Sequence, residues 1–115
     1  KKIDNLISTI DLNGKQIDGS TDDVLSMGNL KSKFEAFDWI VVEIENGNDL
    51  NEINSGMDKA KSLTGKKKPV CVLLKTEMGN GVDFMMNTHA WHGKAPNDEQ
   101  LKLALSQNKE TIGDY

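Results

Sequence analysis

Three short apolar runs, Leu6 to Ile10, Trp39 to Ile44 and Val70 to Leu74, alternate with segments of helical periodicity, and this alternation restricts the fold more than any other feature. Each run is rich in Ile, Val and Leu and too short for a buried helix, so each reads as a strand covered on both faces. Strands joined through helices pair in parallel, which predicts an α/β fold: a three-layer parallel sheet with crossover helices.

The helical segments carry their own start and stop signals. Leu30, Phe34 and Phe37 recur at helical spacing behind Asn29, a good N-cap, and predict a short helix with its apolar stripe on the sheet. Leu50, Ile53, Met57 and Ala60 share a face, Asp49 and Glu52 place acid in the first turn, and Gly65 can end the helix; Gly56 weakens it slightly. A third helix is predicted from Asn97, whose spacing to Gln100 is that of a capping box, through Leu101, Ala104 and Leu105, with the pattern fading beyond about Gln107.

Two connections are longer than a compact domain needs, Asp11 to about Gly28 and Thr76 to Pro96. Both follow strands, and strands of a parallel sheet point the same way. Both loops are therefore expected at the carboxyl edge, where such sheets bind ligands. The linker Glu45 to Asn48 reads as an ordinary turn in which Gly47 supplies backbone freedom.

Composition excludes several classes. With 115 residues one domain and one core are expected, burying roughly two thirds of the unfolded surface. A net charge of -4 offers no broad attraction for nucleic acid or an anionic membrane, and Lys66, Lys67 and Lys68 read as a solvated turn. Cys71 is the single cysteine, inside an apolar run, so a buried and inert thiol in a reducing compartment is expected. No stretch has the apolar length of a membrane span, and Lys1 to Asp4 lack a signal peptide's apolar segment, so a soluble, cytoplasmic protein is expected.

Both long loops carry candidate chemistry. Asp11-Leu12-Asn13-Gly14-Lys15-Gln16-Ile17-Asp18-Gly19 is dense in oxygen donors that suit magnesium or calcium, although Lys15 and the early Gly14 do not fit a calcium-binding helix–loop–helix, and Asn13-Gly14 equally suits a plain tight turn. The second loop holds Gly79-Asn80-Gly81 and both histidines, His89 and His92, in Thr88-His89-Ala90-Trp91-His92-Gly93. Histidine can donate to phosphate or move protons near neutral pH; equally, Trp91 can anchor the loop and carry both histidines as structural neighbours. Met78, Met85 and Met86 read as gap fillers beneath this loop, and Asp22-Asp23 as a solvated pair near a turn of helix.

Taken together, Ile17-Asp18-Gly19 after Asn13, Gly79-Asn80-Gly81-Val82, and His89-Ala90-Trp91-His92-Gly93-Lys94-Ala95-Pro96-Asn97-Asp98 resemble the transketolases, above all the split bacterial kind whose amino-terminal section is a separate chain. The likeness runs in order from about Ile3 to Leu105, and the Trp91-to-Pro96 run favours transketolase over the related synthase that makes deoxyxylulose phosphate. The resemblance implies the carboxyl-terminal portion, over residues 1–115, of a diphosphate-binding domain. It also implies transfer of a two-carbon ketol unit between sugar phosphate substrates with thiamine diphosphate and Mg2+. Asn13 would give the metal a side-chain oxygen and Lys15 a backbone carbonyl, Ile17 would lie against the cofactor, and His89 would stand near the diphosphate and the reacting centre. His92 is the weaker transfer. Asn80 stands where the family commonly has lysine. The family's Gly-Asp-Gly segment would lie upstream of Lys1, and the domain that activates the cofactor lies outside this sequence, so a C-terminal transketolase section or second subunit is the expected partner. The chain alone is expected to be inactive. The other reading is a noncatalytic pairing module of the same fold.

Overall fold

The structure is a computed structural model and describes residues 2–108. Its elements are β1 (Ile7–Leu12), β2 (Lys15–Gln16), β3 (Gly19–Ser20), α1 (Thr21–Leu25), α2 (Leu30–Ala36), β4 (Ile40–Ile44), α3 (Leu50–Ser62), β5 (Val70–Lys75), a 3-10 turn (His89–Trp91) and α4 (Asp98–Gln107). The parallel sheet has the order β1-β5-β4, so the last strand in sequence is the central one. Central placement explains why Val70, Cys71, Val72 and Leu73 are all buried, whereas β4 buries only Val42 and Ile44 on alternate positions. Those two meet Ala60 of α3, with Ile7, Ile40, Met57, Leu63 and Leu74 packed around them.

Asn29 and Asn97 cap their helices as predicted, while Asp49, expected inside the first turn, is itself the N-cap of α3. The Asn29 side chain accepts from Ser32 N–H, Asp49 accepts from Asn51 and Glu52, and Asn97 with Gln100 closes a full capping box. Several predicted details change. The first strand starts at Ile7 rather than Leu6 and runs on to Leu12, because Asp11 and Leu12 pair with Leu74 and Lys75. The second starts at Ile40, since Asp38 at φ 68° reverses the chain first. Phe37 leaves the apolar stripe to become the C-cap of α2 and is exposed; Leu50, in the first turn of α3, is exposed too. Gly56 is a packing residue: a Cβ there would lie 2.4 Å from Ile44 Cδ1, so glycine lets α3 settle on β4. In the lysine turn, Lys66 and Lys67 are exposed, while Lys68 is half-buried and pairs with Asp38 at 2.5 Å.

The chain does not cover itself as a closed domain does. Its accessible surface is 8330 Å², against about 6200 Å² for a compact monomer of this mass. Its radius of gyration is 17.3 Å, against about 13 Å. The one expected core is present, but the expectation that the chain buries roughly two thirds of its unfolded surface is corrected. Three strands and α3 make a small core, while Ile3, Leu6, Val24, Leu25, Leu101, Leu103 and Leu105 stay exposed. Helix α4 lies against the second long loop: the Gln107 side chain accepts from Asp83 N–H at 2.9 Å, and Ala104 is its one buried side chain. The helix ends with Asn108 as its C-cap, and residues past it lie outside the described part.

Cys71 is buried in the central strand, and burial pushes its thiol pKa up. The thiolate is the reactive form, so alkylation by iodoacetamide should follow opening of the sheet. We expect slow labelling in buffer and rapid labelling in urea, read by mass spectrometry; equal rates would contradict the burial.

Candidate functional site at the carboxyl edge of the sheet

The first long connection is largely structured, which periodicity could not reveal. After β1 the chain turns through Asn13 and Gly14 into the hairpin β2–β3, and Ser20 caps α1, placing Asp22 and Asp23 in the first turn of that helix. Asn13 is half-buried. Its side-chain oxygen accepts from Lys15 N–H at 2.9 Å, and its amide nitrogen lies 3.4 Å from Asp11 Oδ2. The tight-turn reading of Asn13-Gly14 is thus correct, and it leaves oxygen donors gathered in the turn. Asp11, Asn13, Gly14 and Lys15, with Leu12, Thr21 and Met27, line a cavity of about 160 Å³. Ile17 sits at the hairpin tip and is 66 % exposed, an apolar side chain left mostly uncovered by the described residues.

The second connection leaves β5 at the same edge. Thr76 N–H donates to Leu12 O, the Thr76 hydroxyl donates to Asp11 Oδ1, and Glu77 N–H donates to Asn48 Oδ1 at 2.7 Å, so the ends of all three strands are tied. Gly47 is buried and has no positive φ. Its requirement is close approach: a Cβ would lie 2.7 Å from Thr76 Cγ2 and 2.9 Å from Lys75 O. The expectation of backbone freedom at Gly47 is corrected accordingly.

Further along this loop, Trp91 is the anchor. Its indole N–H donates to Phe84 O at 2.9 Å, its ring meets Phe84 edge-on at 5.3 Å, and Lys94 Nζ lies 5.0 Å from its centroid. Met78, Met85 and Met86, earlier in the same loop, are half-buried. His89 opens the 3-10 turn beside this anchor, behind Thr88 whose hydroxyl accepts from Ala90 N–H, and both His89 and His92 are exposed. The structure therefore brings Asn13 and Lys15 together in one cavity; Ile17 stands on the adjoining hairpin, and His89 on the separate loop does not line that cavity. Asp11 and Thr76 are the site residues that sequence reasoning left without a role. Asp11 sat in the oxygen-rich run, but nothing in the sequence pairs it with a residue 65 positions away.

A larger cavity of about 310 Å³ lies between α1, α2 and the sheet and includes Leu12, Leu73, Lys31 and Glu43. The hydrogen bond from Lys31, 2.6 Å away, holds the Glu43 carboxyl below its ordinary pKa. Among the described residues no three His, Cys, Asp or Glu side chains cluster to hold a metal, and no helix is long and apolar enough to cross a membrane. The oxygen donors of the Asn13 turn are an amide and backbone carbonyls beside one carboxylate, a hard set that suits a magnesium ion keeping few protein ligands.

Residues 1–112 match the family described as transketolase, thiamine diphosphate binding domain. An apulose-4-phosphate transketolase subunit from Phocaeicola vulgatus is 34 % identical over 112 residues, which is 96 % of this chain and 38 % of that protein. The transketolase of Bacillus subtilis is 33 % identical over 102 residues, 89 % of this chain and 15 % of its own length. Among solved structures, Campylobacter jejuni transketolase superposes with a TM-score of 0.77 at 32 % identity, covering 90 % of this chain and 16 % of the other. A Pichia stipitis transketolase in complex with sedoheptulose 7-phosphate gives 0.79 at 30 %, covering 90 % and 15 %. This chain thus spans well under half the length of the relatives it matches. A family match over nearly the whole chain, on a parallel sheet whose two long loops meet at its carboxyl edge, makes this chain a member of the transketolase family, matching that family's thiamine diphosphate binding domain.

Proposed function

We propose that residues 1–115 form the carboxyl-terminal part of the diphosphate-binding domain of a transketolase that moves a two-carbon ketol unit from a ketose phosphate to an aldose phosphate in the cytoplasm. The observation that carries the proposal is the cavity beside β1 that Asp11, Asn13 and Lys15 line, in a chain of this family. Thiamine diphosphate, when bound, supplies the nucleophilic carbon and electron sink for making and breaking the bond next to a carbonyl. Asn13 Oδ1 and the Lys15 carbonyl would hold a magnesium ion, which would supply positive charge for the diphosphate. Ile17, whose apolar side chain is exposed, would lie against the cofactor and keep water from it. His89, exposed on the second loop, would offer an imidazole N–H near the diphosphate and the reacting centre.

The remaining machinery comes from a C-terminal section or second subunit, in keeping with relatives that are themselves named as transketolase subunits. The chain alone is then inactive. Calorimetric titration of thiamine diphosphate with magnesium should show weak or no binding to this chain and clear binding once it is joined to the remaining sections of a transketolase. Asn13→Ala should weaken that binding by roughly 10- to 100-fold, the range seen when a metal's supporting groups are lost. Ketol transfer by the chain alone would refute the requirement for a partner. The uncovered apolar surface favours a second reading, a noncatalytic module that pairs with another chain; absence of binding in the assembled protein would select it.

A further inference from the structure

We propose that Thr76 and Asp11 are positioning residues that fix which end of the Asn13 amide faces a cation; the inference rests on the reading of Asn13 as a ligand. A primary amide has an oxygen end that binds cations and an NH2 end that repels them, and a half-buried side chain can turn either way. Here both ends are assigned. Asp11 Oδ2, a carboxyl oxygen that accepts, lies 3.4 Å from Asn13 Nδ2, and Lys15 N–H, a donor only, holds Asn13 Oδ1 at 2.9 Å. The carbonyl oxygen keeps a second lone pair for a cation.

Asp11 is exposed and by itself would rotate freely. Its other carboxylate oxygen takes the Thr76 hydroxyl, while Thr76 N–H is held by Leu12 O. Thr76 is in turn set from behind by Gly47, whose missing Cβ leaves the space that Thr76 Cγ2 occupies. The brace therefore runs from the turn after β4, through the end of β5, to the ligand in the loop after β1. It couples the cation site to the packing of the whole sheet edge.

The test uses the assembled protein, this chain with the remaining transketolase sections, and Mn2+ binding read by electron paramagnetic resonance in the presence of thiamine diphosphate, alongside thermal melts. Thr76→Val keeps the shape and removes the hydroxyl; Asp11→Ala removes the acceptor; Thr76→Ser keeps the hydroxyl. The proposal expects about tenfold weaker Mn2+ binding for the first two, wild-type binding for Thr76→Ser, and melts that stay together. Wild-type binding in Thr76→Val and Asp11→Ala, with loss in Asn13→Ala, would overturn the brace and leave the ligand in place. Equal weakening in Thr76→Ser and Thr76→Val would also overturn it, by assigning the effect to packing. Wild-type binding in Asn13→Ala would remove the ligand reading and the brace together.

Discussion

Gly79→Ala should destabilise the chain by about 2–5 kcal/mol, the largest single effect expected of any conservative change in it. Two independent costs meet at this residue. Its φ is 74°, in the left-handed region, where a side chain costs about 1–2 kcal/mol. A Cβ there would also lie 2.5 Å from Met85 O and 2.6 Å from Met85 C. Those are backbone atoms, which cannot swing aside, and such overpacking costs about 1–3 kcal/mol. Gly65 separates the two terms, because its φ is 76° but nothing stands within 4 Å of an added Cβ. Urea denaturation of Gly65→Ala should therefore show only the conformational cost, about 1–2 kcal/mol, and Gly79→Ala clearly more. Equal midpoints would mean that the Gly79–Met85 contact does not hold the loop. Since Met85 lies between Gly79 and His89, the same change should loosen the His89 segment.

Gly47→Ala should cost about 2–4 kcal/mol, and it should do so at the sheet edge. Its φ does not demand glycine, so alanine would bring a gain of about 0.4–1 kcal/mol from a stiffer unfolded chain. Overlap outweighs that gain. The added Cβ would sit 2.7 Å from Thr76 Cγ2, 2.9 Å from Lys75 O and 3.0 Å from Leu74 Cβ. Lys75 O also accepts from Gly47 N–H at 2.7 Å, so backing away breaks a hydrogen bond as well. In the Gly47→Ala background, Thr76→Ser removes the nearest clashing methyl and should restore about a third to a half of the loss, as coupled neighbours do. Simple additivity of the two substitutions in a denaturation cycle would place the strain elsewhere.

The strands were legible because Ile, Val and Leu crowd into runs too short for helices, and two caps because Asn29 and Asn97 carry their mechanism in their side chains. Strand ends were less so: Asp11 is polar and looks like loop, yet its backbone pairs with Leu74. The hairpin Lys15–Gln16 with Gly19–Ser20 has two residues a side, below the length at which alternation can be seen. Periodicity marked Leu101 and Leu105 as apolar but says nothing of what covers them, and here nothing in the described chain does so fully. At the site, Asn13 and Lys15 were readable as oxygen donors in a turn. The Thr76–Asp11 link was not, because a contact between loops emerges only when parallel pairing brings two strand ends side by side.

The strand order has a consequence for synthesis. β1 and β4 both pair with β5 and not with each other, and β5 is the last of the three to be made. At roughly 5–20 residues per second, the polypeptide emerging from a ribosome carries β1 for several seconds with no partner strand among those described. Nor can β4 shelter it in the meantime. Among the described strands the sheet therefore closes late and from the middle, and the apolar runs of β1 and β4 wait for β5 before they can pair within it.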